Sequence, residues 1–148
     1  MEFRSVTDYE SFLSLLIPYY REGEDAETPR EELEAFVGYL YGLLEQGTIS
    51  GGILSGEKPV GFVLWARDSE ELPFSNKPGW GTILEIGILP DCRGNGYGFR
   101  LVSFAESRLE DCPKCICAYG PAEGFWKKCG YRESGETARN GLKIFVKG

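Results

Sequence analysis

The chain has 148 residues, 42% hydrophobic and 26% charged, with a formal net charge of −7. This is enough chain, of ordinary globular composition, to bury one core, and the acidic balance argues against a nucleic-acid backbone as partner, which needs a basic face. The opening MEFRSVTDYE lacks the basic and then apolar run of a secretion signal, and no apolar run reaches membrane-spanning length, so a single cytoplasmic domain over residues 1–148 with no membrane partner is expected.

Phe3 to Val6 predicts a short strand. Thr7 and Glu10 follow at capping-box spacing, and Phe12, Leu15, Leu16 and Tyr19 recur on one helical face, with Pro18 expected to kink or shorten that helix. The acidic stretch Arg21 to Glu27 reads as a loop. A second helix is predicted with Thr28 as N-cap, Pro29 in the first helical position and Glu31 completing a capping box. Leu33, Phe36, Val37, Leu40 and Leu44 form its apolar stripe, and Gly47 ends it. Thr48 to Leu54 and Val60 to Ala66 predict strands joined by SGEKP, a run of turn residues. Asp68 to Gly81 is polar and broken by Pro73, Pro78 and Gly79, so it reads as a loop.

The stretch from Ile83 to Leu109 organises the rest. Ile83 to Leu89 is short, apolar and rich in isoleucine, as a mostly buried strand is, and Pro90 and Asp91 stop it. Leu101, Phe104, Ala105 and Leu109 then recur at helical spacing. Between them lies RGNGYG, Arg93 to Gly98, whose glycines let the backbone turn tightly with no Cβ over its amides. A helix start adds unpaired N–H groups and a partial positive charge, which together suit a phosphate or pyrophosphate. The P-loop pattern is absent, because Tyr97, Gly98 and Phe99 stand where a Lys and a Ser or Thr are needed, and the glycine spacing is not that of a dinucleotide fold.

Cys115 to Ala118 predicts a short strand, Pro121 to Cys129 a short helix closed by Gly130, and Tyr131 to Thr137 with Leu142 to Val146 a final hairpin. Five cysteines and no histidine are present. Cys112 and Cys115 form a C-x-x-C, but Cys92 and Cys129 make no second pair, so no metal site is expected. Cys115 and Cys117 alternate as small core residues do, and all five are read as structural thiols. Without histidine, Ser-His and Cys-His nucleophiles are excluded. The element order implies an α/β fold with a mixed, mostly antiparallel central sheet flanked by helices.

Two motifs inside that order resemble those of the GNAT superfamily of N-acetyltransferases. The first is [Q/R]-x-x-G-x-[G/A], met by Arg93, Gly96 and Gly98. The second is the family's A-x-x-F-Y-x-K-x-G-[F/Y] helix, matched within GPAEGFWKKCGY by Ala122, Phe125, Lys128, Gly130 and Tyr131. The resemblance implies the family's acyl-coenzyme A acyltransferase fold and acetyl-coenzyme A as cosubstrate, with no metal. It places the pyrophosphate against Arg93, Gly94, Asn95, Gly96, Tyr97, Gly98 and Phe99, and the pantetheine along Ile86, Gly87 and Ile88 like an added strand. Gly87 is expected to make a bulge that splays this strand from the Cys115 strand, and an N–H near Ile88 to stabilise the oxyanion. Phe125 and Trp126 join the cofactor side, Trp126 by lining the acyl pocket. The chain departs from the family at Trp126, where many members carry the tyrosine that protonates the departing thiolate, and at Tyr119, where many carry an asparagine. Water, Tyr97, Tyr119 or Tyr131 is left to supply that proton.

Direct attack by an amine requires a base, and Glu85, a carboxylate in an apolar strand, is the candidate; a solvated or Arg-paired carboxylate is the alternative. The reading is acetyl transfer to a primary amine. The acidic runs Glu22 to Glu27 and Glu70-Glu71 favour a small cationic one, or are plain solvated surface. The competing readings are a protein N-acetyltransferase acting on a chain terminus or lysine, and a non-catalytic acyl-coenzyme A binding module. A monomer or homodimer is expected.

Overall fold

The computed structural model describes residues 1–23, 25–118 and 120–148; Glu24 of the acidic loop and Tyr119, one of the candidate proton donors, lie outside the described residues. The described residues form strand β1 (Glu2–Ser5), helices α1 (Tyr9–Glu22) and α2 (Arg30–Glu45), strands β2 (Ser50–Ser55), β3 (Pro59–Arg67) and β4 (Gly81–Ile88), helix α3 (Tyr97–Ser107), strand β5 (Lys114–Ala118), helix α4 (Glu123–Lys128) and strands β6 (Arg132–Thr137) and β7 (Lys143–Lys147). The seven strands make one sheet in the order β1-β2-β3-β4-β5-β7-β6. Every neighbouring pair is antiparallel except β4 and β5, which are joined through the α3 crossover. This is the mixed, mostly antiparallel sheet expected from the element order.

β3 explains why the sheet is covered on both sides. Its alternate residues Phe62, Leu64 and Ala66 pack with Phe12, Leu15 and Leu16 of α1 and Leu33, Val37 and Leu40 of α2. Val63 and Trp65 point the other way, onto Leu101, Val102 and Ala105 of α3 and Trp126 of α4. A strand buried on both faces reads as a continuous apolar run, as Val60 to Ala66 does.

The helix ends differ from the predicted caps. Asp8, not Thr7, caps α1: its carboxylate accepts from the Ser11 amide (2.8 Å) and the Ser11 hydroxyl (3.0 Å). Thr7 and Asp8 are adjacent and both able to cap, and Asp8 is the one placed to reach the Ser11 amide. α1 continues four residues beyond Pro18 without a break. α2 starts with Pro29 as N-cap and no side-chain cap; the Thr28 hydroxyl, the predicted cap, instead donates to Asp25 Oδ1 (3.1 Å). Gly47 follows the end of α2 in the left-handed region, φ 75°, as a helix stop requires. Phe36 departs from the predicted stripe: Leu33, Val37, Leu40 and Leu43 face the core, while Phe36 is 45% exposed.

β4 is bent where it leaves β5. The parallel ladder covers only Gly81–Lys114, Thr82–Cys115 and Ile83–Ile116. On the other side, Glu85 faces Leu64 and Ile83 faces Trp65, so Leu84 is left over as a bulge. The bulge therefore lies at Leu84, immediately after the last β4–β5 pair, and not at Gly87, which pairs regularly with Phe62. The expected splay of the two strands is present with a different cause. The glycine has another task. A Cβ there would stand 2.6 Å from the Phe62 ring and 2.8 Å from the Tyr19 ring, so Gly87 lets α1 lie close over β4.

α3 holds the opposite face through Leu101, which is fully buried against Gly61 of β3. Leu101→Ala should destabilise the fold by about 2–5 kcal/mol, measured by urea unfolding, because the packed side chain leaves a cavity when truncated.

Candidate functional site

The first half of the site is main chain. From Glu85 to Ile88, β4 runs in regular register with β3, and the Leu89 amide continues the ladder by donating to Val60 O (2.9 Å). Amides alternate sides along a strand, so those of Ile86 and Ile88 point away from β3. On that side β5 has already diverged, and these amides face the gap between the two strands. Ile86 and Ile88 direct their side chains to the α3 core, while Glu85 and Gly87 face α1.

The second half is the loop that follows. A single 3-10 turn, Pro90–Cys92, ends β4, and Gly94 (φ 83°) and Gly96 (φ 76°) take left-handed backbone conformations that side chains disfavour. A Cβ at either would meet nothing within 4 Å, so both glycines border open space. Gly96 is the N-cap of α3 and offers no side chain to its amides. Among the described residues, the amides of Gly94, Asn95, Gly96, Tyr97, Gly98 and Phe99 donate no hydrogen bond within the protein. Together with the dipole of an 11-residue helix, they suit an anion the size of a pyrophosphate.

Side chains brace this loop. Asn95 Nδ2 donates to Cys92 O (3.0 Å) and Arg93 O (3.3 Å). Arg93 Nε donates to Ile88 O (3.2 Å), and its other arm pairs with Glu22 at the end of α1 (2.7 Å). Arg93 thus ties the loop to both β4 and α1, and one carboxylate of the acidic loop is spent on it. Gly98 gives room to Phe125, whose ring would be 3.0 Å from a Cβ there; Phe125 also packs against the exposed Phe99 (5.2 Å between rings). The two sequence motifs therefore meet in space, the start of α3 against α4.

Trp126 is 3% exposed, wedged edge-on between Phe125 (5.1 Å) and Tyr131 (5.4 Å). The Tyr131 hydroxyl donates to Glu106 Oε2 (2.8 Å), and burial, with the Glu106 carboxylate beside it, holds its proton more tightly than an ordinary phenol does. Tyr97, the first residue of α3, is partly buried.

Glu85 is the one carboxylate among the β4 side chains. It is partly buried, and Tyr19 of α1 donates its hydroxyl to Oε2. Burial pushes its carboxyl up to about 7 from the ordinary 4.5; the Tyr19 hydrogen bond opposes that rise and the Asp25 carboxylate adds to it. An arginine partner, one of the alternatives at the sequence level, is absent among the described residues. Tyr19 is the residue that sequence reasoning misses: its spacing places it on a helix face, and nothing local links it to a strand 66 positions on.

The cysteines are all free thiols. Cys115 is buried and its thiol is pushed up to about 12 by burial; burial likewise raises Cys129 to about 11 and also raises Cys117. No helix among the described residues is long and apolar enough to cross a membrane.

A family model described as "Acetyltransferase (GNAT) family" matches residues 9–131. No match was found among curated protein sequences. Solved structures share the fold: an acetyltransferase from Thermus thermophilus at 20% identity, covering 99% of this chain and 95% of that one with a TM-score of 0.75. PaiA N-acetyltransferase from Thermoplasma acidophilum in complex with coenzyme A is 13% identical over 99% of this chain and 97% of its own, TM-score 0.71. A GNAT family acetyltransferase from Brucella melitensis in complex with acetyl-CoA is 11% identical over 99% and 86%, TM-score 0.70.

The raised Glu85 has a thermodynamic consequence. Its native state binds the proton more tightly than the unfolded chain, so its contribution is fully present below pH 4.5 and is lost as pH rises through about 7. Glu85→Gln, which cannot ionise, should melt higher than the parent protein, with an advantage that grows between about pH 4.5 and pH 7 and levels off above that in calorimetric scans.

Proposed function

The chain belongs to the GNAT family of acetyltransferases, and on that premise we propose that it transfers the acetyl group of acetyl-coenzyme A to a primary amine, with Glu85 as the base. The observation that carries this reading is that the outward amides of Ile86 and Ile88 and the unpartnered amides of Gly94 to Phe99 follow one another along β4 and its loop, with the half-buried Glu85 carboxyl held by Tyr19 on the α1 face of the same strand. The pyrophosphate fits the glycine-framed amides, where both Gly94 and Gly96 border open space. The pantetheine arm fits the edge of β4, as an extended peptide adds to a sheet. Acetyl-coenzyme A supplies the activated acyl group as a thioester.

The chain's own part is proton management and positioning. An ammonium has no lone pair, so Glu85 takes one proton from it and leaves the nitrogen free to attack the thioester carbonyl carbon. The Ile88 amide, on the open side of β4, is the donor for the oxygen as its charge grows. The C–N bond forms, the nitrogen gives up its second proton to solvent, the C–S bond breaks, and the sulfur leaves as a thiolate that takes up a proton, so amide and free thiol result with one proton on Glu85. Tyr131 is engaged by Glu106 and holds its proton tightly, and Trp126 is buried and only a feeble acid, so the proton comes from water, Tyr97 or Tyr119. Trp126 acts by packing: it holds Phe125 against Gly98 and so supports the amide-bearing turn. A net charge of −7 draws cationic amines toward the protein.

Two experiments test this. Gly96→Val forces a side chain into a left-handed backbone position and into the space beside the amides, so coenzyme A affinity by calorimetry should fall at least about a hundredfold while circular dichroism is unchanged. Unchanged affinity would remove the pyrophosphate assignment. For the base, the rate constant at low amine should rise with pH through about 7, because Glu85 acts once it has lost its proton. Glu85→Gln should lower turnover by about 100-fold or more and flatten that limb; a profile matching the parent's would exclude Glu85.

A further inference from the structure

Among the described residues, the Glu85 carboxyl has one hydrogen-bond donor, the Tyr19 hydroxyl on Oε2, and Oε1 accepts from none of them. The other titratable groups that face it are Tyr20 of α1 and Asp25 of the loop after α1, and neither is a cation. Arg21, the cation nearest to Tyr19 in sequence, is spent on the carbonyls of Asp25, Ala26 and Thr28. β3 presents only the apolar Phe62 and Leu64 on this side. A carboxylate in such surroundings depends for its charged form on the donor it has.

That donor is held in place from three directions. The Tyr19 ring packs edge-on against Phe62, with centroids 5.3 Å apart, and against Tyr20 at 5.1 Å. It crosses β4 at Gly87, where a Cβ would stand 2.8 Å from the ring. About one turn further along α1, Glu22 pairs with Arg93, whose Nε donates to Ile88 O, so the end of α1 is tied to the end of β4. The packing of the ring would be met equally well by phenylalanine. The hydroxyl adds one directed bond, and that bond falls on the one carboxyl group of β4.

We propose that Tyr19 is the positioning residue of the base: it occupies Oε2, fixes the plane of the carboxyl group and leaves Oε1 to take the proton of the acceptor ammonium. This rests on the reading of Glu85 as the base of an amine acetyltransfer. The bond restricts rotation of the carboxyl group, so the basic lone pair is presented in one direction. It also favours the charged form, since a carboxylate is a stronger acceptor than a carboxylic acid, and so opposes the rise that burial imposes. Tyr19 keeps its own proton throughout. Glu85 gains the ammonium proton and returns it to solvent before the next turnover.

The test compares the parent with Tyr19→Phe, Glu85→Gln and the double variant. Thiol release is followed with acetyl-coenzyme A and the fastest acceptor among phenethylamine, putrescine and a lysyl peptide. Phenylalanine keeps the ring, so circular dichroism and coenzyme A affinity should match the parent. Without its donor the carboxyl holds its proton to higher pH. The acid limb of turnover in Tyr19→Phe should therefore move up by about one pH unit, which lowers the rate about fivefold at pH 7 and hardly at all at pH 9. In the Glu85→Gln background the same substitution should leave the pH profile as it is. The Glu85 carboxyl carbon, assigned by its loss in Glu85→Gln, should titrate about one pH unit higher in Tyr19→Phe by carbon-13 NMR, whether or not any amine is acetylated. An unmoved limb, or a uniform fall at every pH such as a packing role gives, overturns the inference and leaves amine acetylation standing. Acetylation of none of the amines by protein that binds coenzyme A overturns the acetyltransfer reading, and the NMR titration then still decides whether Tyr19 governs Glu85.

Discussion

The short parallel ladder between β4 and β5 is the constraint on which the molecule depends. Three residue pairs, from Gly81–Lys114 to Ile83–Ile116, join the two parts of the sheet, and the Leu84 bulge then turns β4 away. A longer ladder would satisfy the Ile86 and Ile88 amides within the protein and leave no main-chain groups for a ligand. A shorter one would leave β5, β6 and β7 attached to the rest chiefly through α3 and its packing. The α3 crossover follows from the same pairing, since parallel neighbours need a connection long enough to return the chain to the starting edge. That return brings the start of a helix, with its unpaired amides, to the mouth of the gap.

The two faces of β4 divide the work. The α3 side is conventional packing, with Ile86 and Ile88 against the core built on Leu101 and Val102. The α1 side carries a carboxyl group that the surroundings keep protonated up to about neutral pH, held by Tyr19. Gly87 makes this arrangement sterically possible, because any side chain there would push the Tyr19 ring off the strand. Arg93 closes the circuit at one end, bridging β4, the turn and Glu22 of α1. Local stability is given up here through a carboxyl group set in an apolar strand, in the manner of sites that bind or react.

Much of this is legible in the sequence because each signal is local. The order of elements, the strand before RGNGYG and the helix after it follow from hydrophobic period and glycine placement, and the fold agrees. What is not legible depends on choices between neighbours or on distant partners. Thr7 and Asp8 are both competent caps, and only the Ser11 geometry decides for Asp8. Phe36 fits the helical stripe by spacing, but the core takes Leu43 in its place, because period alone does not fix how wide a stripe the sheet covers. The bulge is expected at the glycine, the residue with the freest backbone, and it lies at Leu84, where a register imposed by two different neighbours breaks. The orientation of Glu85 needs Tyr19, a contact between segments that share no sequence signal.

The buried thiols have a meaning beyond packing. A protein that handles a thioester is exposed to transthioesterification, in which one of its own cysteines takes the acyl group before the acceptor does. The reacting species is the thiolate. With its thiol at about 12, Cys115 is ionised at neutral pH only to about one part in 100,000, and Cys129, at about 11, to about one in 10,000. Burial that looks like simple core filling therefore also keeps Cys115 and Cys129 from acting as thiolate nucleophiles toward a thioester.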